Sequence, residues 1–121
     1  MLATTAHVGH NTGDSEWFTP ANMITLARKV LGGIDLDPAS TAAANRVVKA
    51  AQFYTATEDG LTLPWRGRVW MNPPYAHPAI EQFTSKLVES ARSGSVPAAM
   101  ILVNNATVNL LAFFFRWHFF E

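Results

Sequence analysis

The chain carries two hydrophobic periods, one typical of helices and one typical of strands. Two stretches place apolar residues three and four positions apart, and a third is rich in alanine, so we predict helices over residues 20–31, 79–92 and 41–51. Thr19 suits the cap of the first helix and Pro20 its first position, where a missing N–H costs nothing. Either Ser40 or Thr41 suits the cap of the alanine-rich helix.

Four further stretches are predicted to be strands. They span residues 34–40, 52–54, 69–72 and 98–103. The first alternates, with Asp35 and Asp37 at its outward positions, whereas the last two are continuous apolar runs that are typical of buried parallel strands. Because strands and helices alternate along the chain, we expect an α/β domain with a mostly parallel sheet flanked by helices.

The two ends of the chain differ in character. We expect residues 1–14 to form a flexible N-terminal segment and residues 15–121 a single domain, since 121 residues can bury roughly two thirds of their unfolded surface. The tail, residues 108–120, contains five phenylalanines and Trp117, so it should form a final helix or strand that needs burial. It is far shorter than the ~20 apolar residues of a membrane span, and we expect no membrane contact.

Composition narrows the class of protein. There is no cysteine, which favours a cytoplasmic protein without disulfides or thiolate metal sites. Nine acidic and nine basic residues balance, which argues against binding dominated by phosphate contacts. Arg66 and Arg68 could still contact phosphate, or they could lie in a solvated loop. His7, His10 and the two aspartates lack the spacing of metal ligands, so we expect no metal.

The strongest candidate for chemistry is Asn72-Pro73-Pro74-Tyr75, at the end of the strand over residues 69–72. Ligands bind at the carboxyl ends of parallel strands, and prolines end the ladder there because they lack an N–H. An amide, two rigid carbonyls and an aromatic ring suit a planar polar group. Taken alone, the four residues fit a structural polyproline turn equally well, but they also resemble the catalytic motif of amino methyltransferases.

Further motifs extend this resemblance to about residues 15–105. They are Glu16-Trp17-Phe18-Thr19-Pro20, Asp35-Leu36-Asp37-Pro38-Ala39-Ser40, Asp59-Gly60-Leu61 with Trp65, and Trp70-Met71-Asn72-Pro73-Pro74-Tyr75. In this order they are similar to the phage-type DNA N-6-adenine methyltransferases. The resemblance implies a Rossmann-like, S-adenosylmethionine-dependent methyltransferase fold, DNA as partner, and methylation of the adenine N6 amine in the bacterial host cell of a phage or prophage.

The resemblance also implies roles for individual residues. Trp17, Thr19 and Pro20 are similar to the segment that lies against the methionine part of S-adenosylmethionine. Asp37 and Pro38 resemble the turn whose carboxylate faces the cofactor's ammonium group, and Asp35, one strand period earlier, would share that face. The residues expected to act on the substrate amine are Asn72, Pro73, Pro74 and Tyr75. Asn72 Oδ1 and the Pro73 carbonyl would accept its two N–H groups, and Tyr75 would stack on the base.

Two departures from the family pattern carry expectations of their own. Ser40-Thr41-Ala42 stands where many methyltransferases have glycines. Only four candidate strands are present, so we expect a truncated sheet, incomplete at its C-terminal edge, and self-association through the exposed apolar tail. Two alternatives stay open: a catalytically degenerate remnant that binds the cofactor or DNA, and an amino methyltransferase that acts on cytosine or a glutamine amide.

Overall fold

The computed structural model describes residues 2–5, 21–103 and 111–116. In chain order its elements are β1 (Leu2–Thr5), α1 (Ala21–Leu31), β2 (Leu36–Asp37), α2 (Ala42–Val48), β3 (Gln52–Phe53), a 3-10 turn (Gly60–Thr62), β4 (Val69–Met71), α3 (Ala79–Ser93), β5 (Ala98–Val103) and β6 (Leu111–Arg116). The predicted alternation of strands and helices is confirmed. The sequence prediction of a flexible segment over residues 1–14 includes Leu2–Thr5, which form β1; the rest of that segment lies outside the described residues.

The strands form one sheet in the order β1-β6-β5-β4-β2-β3. The four strands predicted from the sequence, β2 to β5, are mutually parallel, which confirms a Rossmann-like α/β arrangement. β6 pairs antiparallel along the whole of β5, and β1 pairs antiparallel with β6. The tail, which was predicted to form a final helix or strand, contributes the strand β6 beside β5.

Apolar side chains fill both faces of the parallel strands. Trp70, Met100 and Leu102 point to one face, where they pack with the buried side of α1 and with Val48 of α2. Their sequence neighbours Val69, Met71, Ala99 and Ile101 point to the other face, which Phe83 and Leu87 of α3 cover. This alternation gives three layers, with helices on both sides of the sheet.

Local signals explain where the helices begin and end. α1 buries Met23, Ile24, Ala27 and Leu31 and ends at Gly32, whose φ of +83° suits a glycine. The side chain of Thr41 caps α2 by accepting a hydrogen bond from the Ala44 N–H at 2.9 Å, which settles the choice between Ser40 and Thr41. None of the helices described is long and apolar enough to cross a bilayer.

The strand predicted over residues 34–40 is the main local difference. β2 is only Leu36–Asp37, and the turn at Pro38 follows it at once. Asp37 is 2% exposed, so its predicted outward position is wrong, whereas Asp35 lies before the strand and remains partly exposed. The two aspartates consequently have different surroundings.

Candidate active site

A cavity of about 380 Å³ opens at the carboxyl ends of β2 and β4, the expected end of a parallel sheet. Its polar lining comes from the tips of β2 and β4, both predicted from the sequence, and from the segments between them. These residues are Asp37, Ser40, Thr41, Thr55, Asp59, Asn72 and Tyr75. Pro38, Pro73 and Pro74 also line it, together with apolar side chains of α2 and the sheet. A cavity of this size and mixed lining is typical of a small-molecule site.

β4 brings Asn72 to the cavity. Val69, Trp70 and Met71 are fully buried between β2 and β5, so the strand cannot shift along its neighbours without exposing large apolar side chains. The two prolines then end the ladder, with Pro73 buried and Pro74 exposed. Asn72 is held partly exposed at the cavity wall, where a planar ligand can reach its carboxamide.

The hydroxyl of Tyr75 lies within hydrogen-bond distance of two acceptors. It donates to Asn72 Oδ1 at 2.8 Å and is 3.2 Å from the backbone carbonyl of Leu102 in β5. Burial raises the pKa of Tyr75 to about 12, so its hydroxyl is a protonated donor at neutral pH. The ring itself is partly exposed to the cavity.

Asp37 is a buried acid in the wall of the same cavity. Burial raises its pKa from the ordinary value of 3.8 to about 7, although the Ala39 amide and the Ser40 side chain oppose that rise. Its Oδ1 accepts the Ala39 N–H at 3.3 Å. The ion pairs in the described part of the chain, Arg68–Asp35 and His77–Glu81, leave Asp37 out. A cation that entered the cavity would stabilise the ionised form of this carboxyl.

The loop at Asp59-Gly60 lines part of the cavity. A Cβ atom on Gly60 would lie 2.2 Å from the Pro38 carbonyl oxygen, so only glycine allows the loop to pack on the turn after β2. The carboxylate of Asp59 accepts the Leu61 N–H at 3.2 Å, and Trp65 Nε1 donates to the Gly60 carbonyl at 2.8 Å. This motif was recognised in the sequence but given no role, since its contact with Pro38 links residues that are distant along the chain.

Other cavity residues were missed by sequence reasoning. Thr41 and Thr55 contribute hydroxyls to the lining, and Trp70 contributes to its apolar part. Among the residues that the structure describes, Trp70 Nε1 is the one buried side-chain nitrogen or oxygen without a hydrogen-bond partner. A run of apolar residues gives no sign that one of its members carries an unpaired donor beside a cavity.

Asp35 and Arg68 are not brought to the cavity. The Asp35 carboxylate accepts three hydrogen bonds from Arg68: the backbone N–H at 2.7 Å, Nε at 2.7 Å and Nη2 at 2.9 Å. These bonds with the Arg68 side chain hold the pKa of Asp35 below its ordinary value. Asp35 therefore does not line the cavity that Asp37 lines. Arg66 is exposed, whereas Arg68 is engaged with Asp35.

The cofactor segment predicted at Trp17, Thr19 and Pro20 lies outside the described residues. Of the other residues predicted for the site, the structure brings Asp37 and Pro38 together with the Asn72–Tyr75 stretch on one cavity. These two groups come from neighbouring parallel strands, with Leu36 of β2 paired with Val69 of β4.

Comparison with known protein families identifies the family of the chain. The model of the DNA N-6-adenine-methyltransferase family matches residues 6–112, so the chain belongs to this family. The matched range contains the described part of the cavity and the Asn-Pro-Pro-Tyr stretch. No curated protein and no solved structure matches the chain.

Proposed function

We propose that this member of the DNA N-6-adenine-methyltransferase family transfers a methyl group from S-adenosylmethionine to the N6 amine of adenine in DNA. The observation that carries the proposal is the shared cavity of a buried acid, Asp37, and the Asn-Pro-Pro-Tyr stretch at the tips of adjacent parallel strands. The first can hold a cationic ligand, and the second can hold a planar amine. A single domain over residues 15–121 would contain both the part that binds the cationic ligand and the part that binds the amine.

The cavity's donor set fits the cofactor. S-adenosylmethionine supplies an electrophilic methyl group on a sulfonium, and it carries an ammonium, a carboxylate and a ribose diol. In its ionised form Asp37 accepts hydrogen bonds from the ammonium group, and the hydroxyls of Thr41 and Thr55 with the Asp59 carboxylate offer partners to the polar groups. We propose that Pro38 shapes the same wall and that Trp17, Thr19 and Pro20 contribute the part next to the methionine chain.

The residues of the Asn72–Tyr75 stretch would act on the substrate amine. The lone pair of an exocyclic amine is delocalised into the ring, which makes the nitrogen a poor nucleophile. Asn72 Oδ1 and the Pro73 carbonyl accept its two N–H groups, which orients the amine and returns electron density to nitrogen as it is alkylated. Pro74 restricts the backbone that presents these acceptors, and the Tyr75 ring stacks on the base.

We further propose how DNA is held and where the reaction takes place. Arg66 is exposed and can contact a phosphate, while Arg68 would first have to leave Asp35. The balanced charge of the chain means that stacking and amine recognition must supply much of the affinity. A phage or prophage protein of this kind would act in the bacterial cytoplasm and would protect DNA from restriction.

The test is incubation with labelled S-adenosylmethionine and unmethylated DNA, followed by nucleoside analysis. We expect label in N6-methyladenine, and we expect Asn72→Ala to reduce transfer by at least ~100-fold while cofactor affinity, measured by calorimetry, stays within about twofold. Asn22→Ala is the matched control, because it removes an exposed amide outside the cavity.

Each other result has a definite meaning. Cofactor binding without label in any DNA would show a degenerate binding remnant. Label in methylcytosine or in a glutamine side chain would show another acceptor. Transfer to adenine that survives Asn72→Ala would refute the role of the carboxamide.

A further inference from the structure

Four exposed cations lie at the end of the sheet opposite the cavity. Lys29 is in the last turn of α1, Arg46 is in the last turn of α2, and Lys49 is the residue at which α2 ends. Arg66 lies just before β4. These positions lead into β2, β3 and β4, so they lie at the amino ends of the parallel strands, whereas the cavity is at the carboxyl ends. We call these four residues the basic surface.

Two further arginines hold the parts of the basic surface together. The guanidinium of Arg28 donates to the backbone carbonyls of Val48 and, at 2.7 Å, Lys49, so it joins the end of α1 to the end of α2. The guanidinium of Arg68 packs on Gly33, where a Cβ atom would lie 3.0 Å from Nη1. This contact joins the segment before β4 to the segment that follows α1. Both arginines add positive charge beside the four exposed cations.

The charges of the chain balance overall but are separated in space. Asp35 is the carboxylate near the basic surface among the described residues, and it is paired with Arg68. The other acidic residues of that part line the cavity, lie beside its lining or belong to α3: Asp37, Asp59, Glu58, Glu81 and Glu89. No lysine or arginine within residues 21–103 lines the cavity. Positive charge that can attract a phosphate therefore lies at the other end of the sheet.

We propose that the basic surface binds phosphates of the substrate DNA several base pairs away from the adenine that enters the cavity. This inference rests on the proposed function, which supplies DNA as the partner. Arg68 and Asn72 are four residues apart along β4, or about 13 Å, and Arg66 lies up to about 7 Å further. Each DNA strand has a phosphate every ~3.4 Å along the helix axis, so this separation spans about 4 to 6 phosphates.

Helix α2 connects the two places. Its capping residue Thr41 and its residue Val47 line the cavity, and its other end carries Arg46 and Lys49. Seven residues of helix span only about 10 Å. A duplex that passes along this side of the molecule can therefore reach the cavity and the basic surface together.

Cations at the ends of helices also complement the helix dipole, and the two roles can be separated. Arg46 and Arg92 are both exposed arginines in the last turn of a helix, so each has the same effect on its dipole. Arg92 belongs to α3, which covers the other face of the sheet. Arg66 is on no helix, so a dipole does not account for it.

The first test compares Arg46→Gln with Arg92→Gln. Binding of a 30-base-pair duplex is measured by fluorescence anisotropy at several salt concentrations. We expect Arg46→Gln to raise the Kd at least about threefold and to lower the slope of log Kd against log salt by about 0.9, whereas Arg92→Gln changes neither. Equal urea midpoints for the two variants, and a Kd for S-adenosylmethionine within about twofold, show that both remain folded.

The second test places the phosphates relative to the adenine. The triple variant Lys29→Gln/Arg46→Gln/Lys49→Gln should raise KM for a methylated duplex at least ~10-fold. Neutral methylphosphonate linkages three to seven nucleotides from the target adenine should raise KM for the unaltered chain by a similar factor, and on that DNA the triple variant should differ by less than about twofold. Neutral linkages within two nucleotides of the adenine should leave the effect of the triple variant in place.

Each result bears on one of the two proposals. Equal Kd values for Arg46→Gln and Arg92→Gln would overturn this inference alone, because the cations would then serve only the helix ends. A triple-variant effect that disappears only with neutral linkages beside the adenine would also overturn it. If no DNA is methylated but Arg46→Gln still weakens DNA binding and Arg92→Gln does not, the proposed function fails while DNA binding by the basic surface stands.

Discussion

The buried carboxyl of Asp37 makes the stability of the chain depend on pH in an unusual direction. Its pKa is 3.8 when the chain is unfolded and about 7 when it is folded. Between about pH 4 and about pH 7, the folded state therefore binds more protons than the unfolded state, and the free energy of unfolding falls as pH rises. Above about pH 7 the carboxyl is ionised in both states and the decline ends.

The size of the effect follows from the two pKa values. A change from 3.8 to about 7 corresponds to about 4 kcal/mol over the whole window, of which about 3 kcal/mol falls between about pH 5 and pH 8. Asp35, Glu58 and Glu81 have lowered pKa values, so the stability that they contribute is present above the unfolded pKa and is lost only in stronger acid. Starting near pH 5 keeps their contribution nearly constant.

Asp37→Asn isolates this contribution, because the amide has the shape of the carboxyl but cannot ionise. We expect urea unfolding followed by circular dichroism to show that the unaltered chain loses about 3 kcal/mol relative to Asp37→Asn between about pH 5 and pH 8. Glu89→Gln removes an exposed carboxyl and serves as the control. A chain and an Asp37→Asn variant with the same pH dependence, within about 1 kcal/mol, would refute the assignment of a raised pKa to Asp37.

Three further predictions concern the surroundings of the cavity and the phenylalanine-rich tail. Gly60→Ala should cost about 2 to 3 kcal/mol in urea unfolding and weaken cofactor binding, because its Cβ would lie 2.2 Å from the Pro38 carbonyl. Gly94→Ala, with φ of +87° and open space around it, should cost only about 1 kcal/mol, and equal costs would contradict the clash. Asp35→Asn should cost about 1 kcal/mol or less, since the ion pair with Arg68 is partly exposed, and calorimetry should show a cofactor Kd within about twofold; a tenfold change would return Asp35 to the site. Purified protein should self-associate, because the tail contains five phenylalanines, and a monodisperse monomer in light scattering at micromolar concentration would contradict this.

The parts of the fold that could be predicted are those that local patterns encode. Helical spacing marked α1 and α3, and continuous apolar runs marked β4 and β5, because a strand buried on both faces has no polar positions. The pairing of β1 with β6 was not predicted. It joins residues more than a hundred positions apart, and neither strand's sequence identifies its partner.

The candidate site shows the same difference between features that local patterns encode and features that depend on distant residues. The position of Asn72 and Asp37 at the cavity could be predicted because each is a polar residue at a strand tip that a proline follows. The role of Asp35 was missed because alternation along a strand puts residues two apart on one face, and β2 is too short for that rule to hold. Its partner Arg68 lies just before β4, and the hydrophobic periodicity of one strand does not show which residues of another strand lie beside it.

The alignment of β2 with β4 determines how far apart the two halves of the site lie. The Arg68 carbonyl accepts the N–H groups of Asp35 at 2.9 Å and Leu36 at 3.1 Å, and the Arg68 side chain donates to the Asp35 carboxylate. These hydrogen bonds help to align Leu36 with Val69. Asp37 is one residue beyond that pair and Asn72 is three beyond it, so the amide stands about 7 Å further along the strand direction than the acid. A slip of one residue by either strand would turn its own side chain, Asp37 or Asn72, to the other face of the sheet and separate the pair, because the side-chain period of a strand is two. Asp35 therefore contributes to the register next to the site and does not line the cavity.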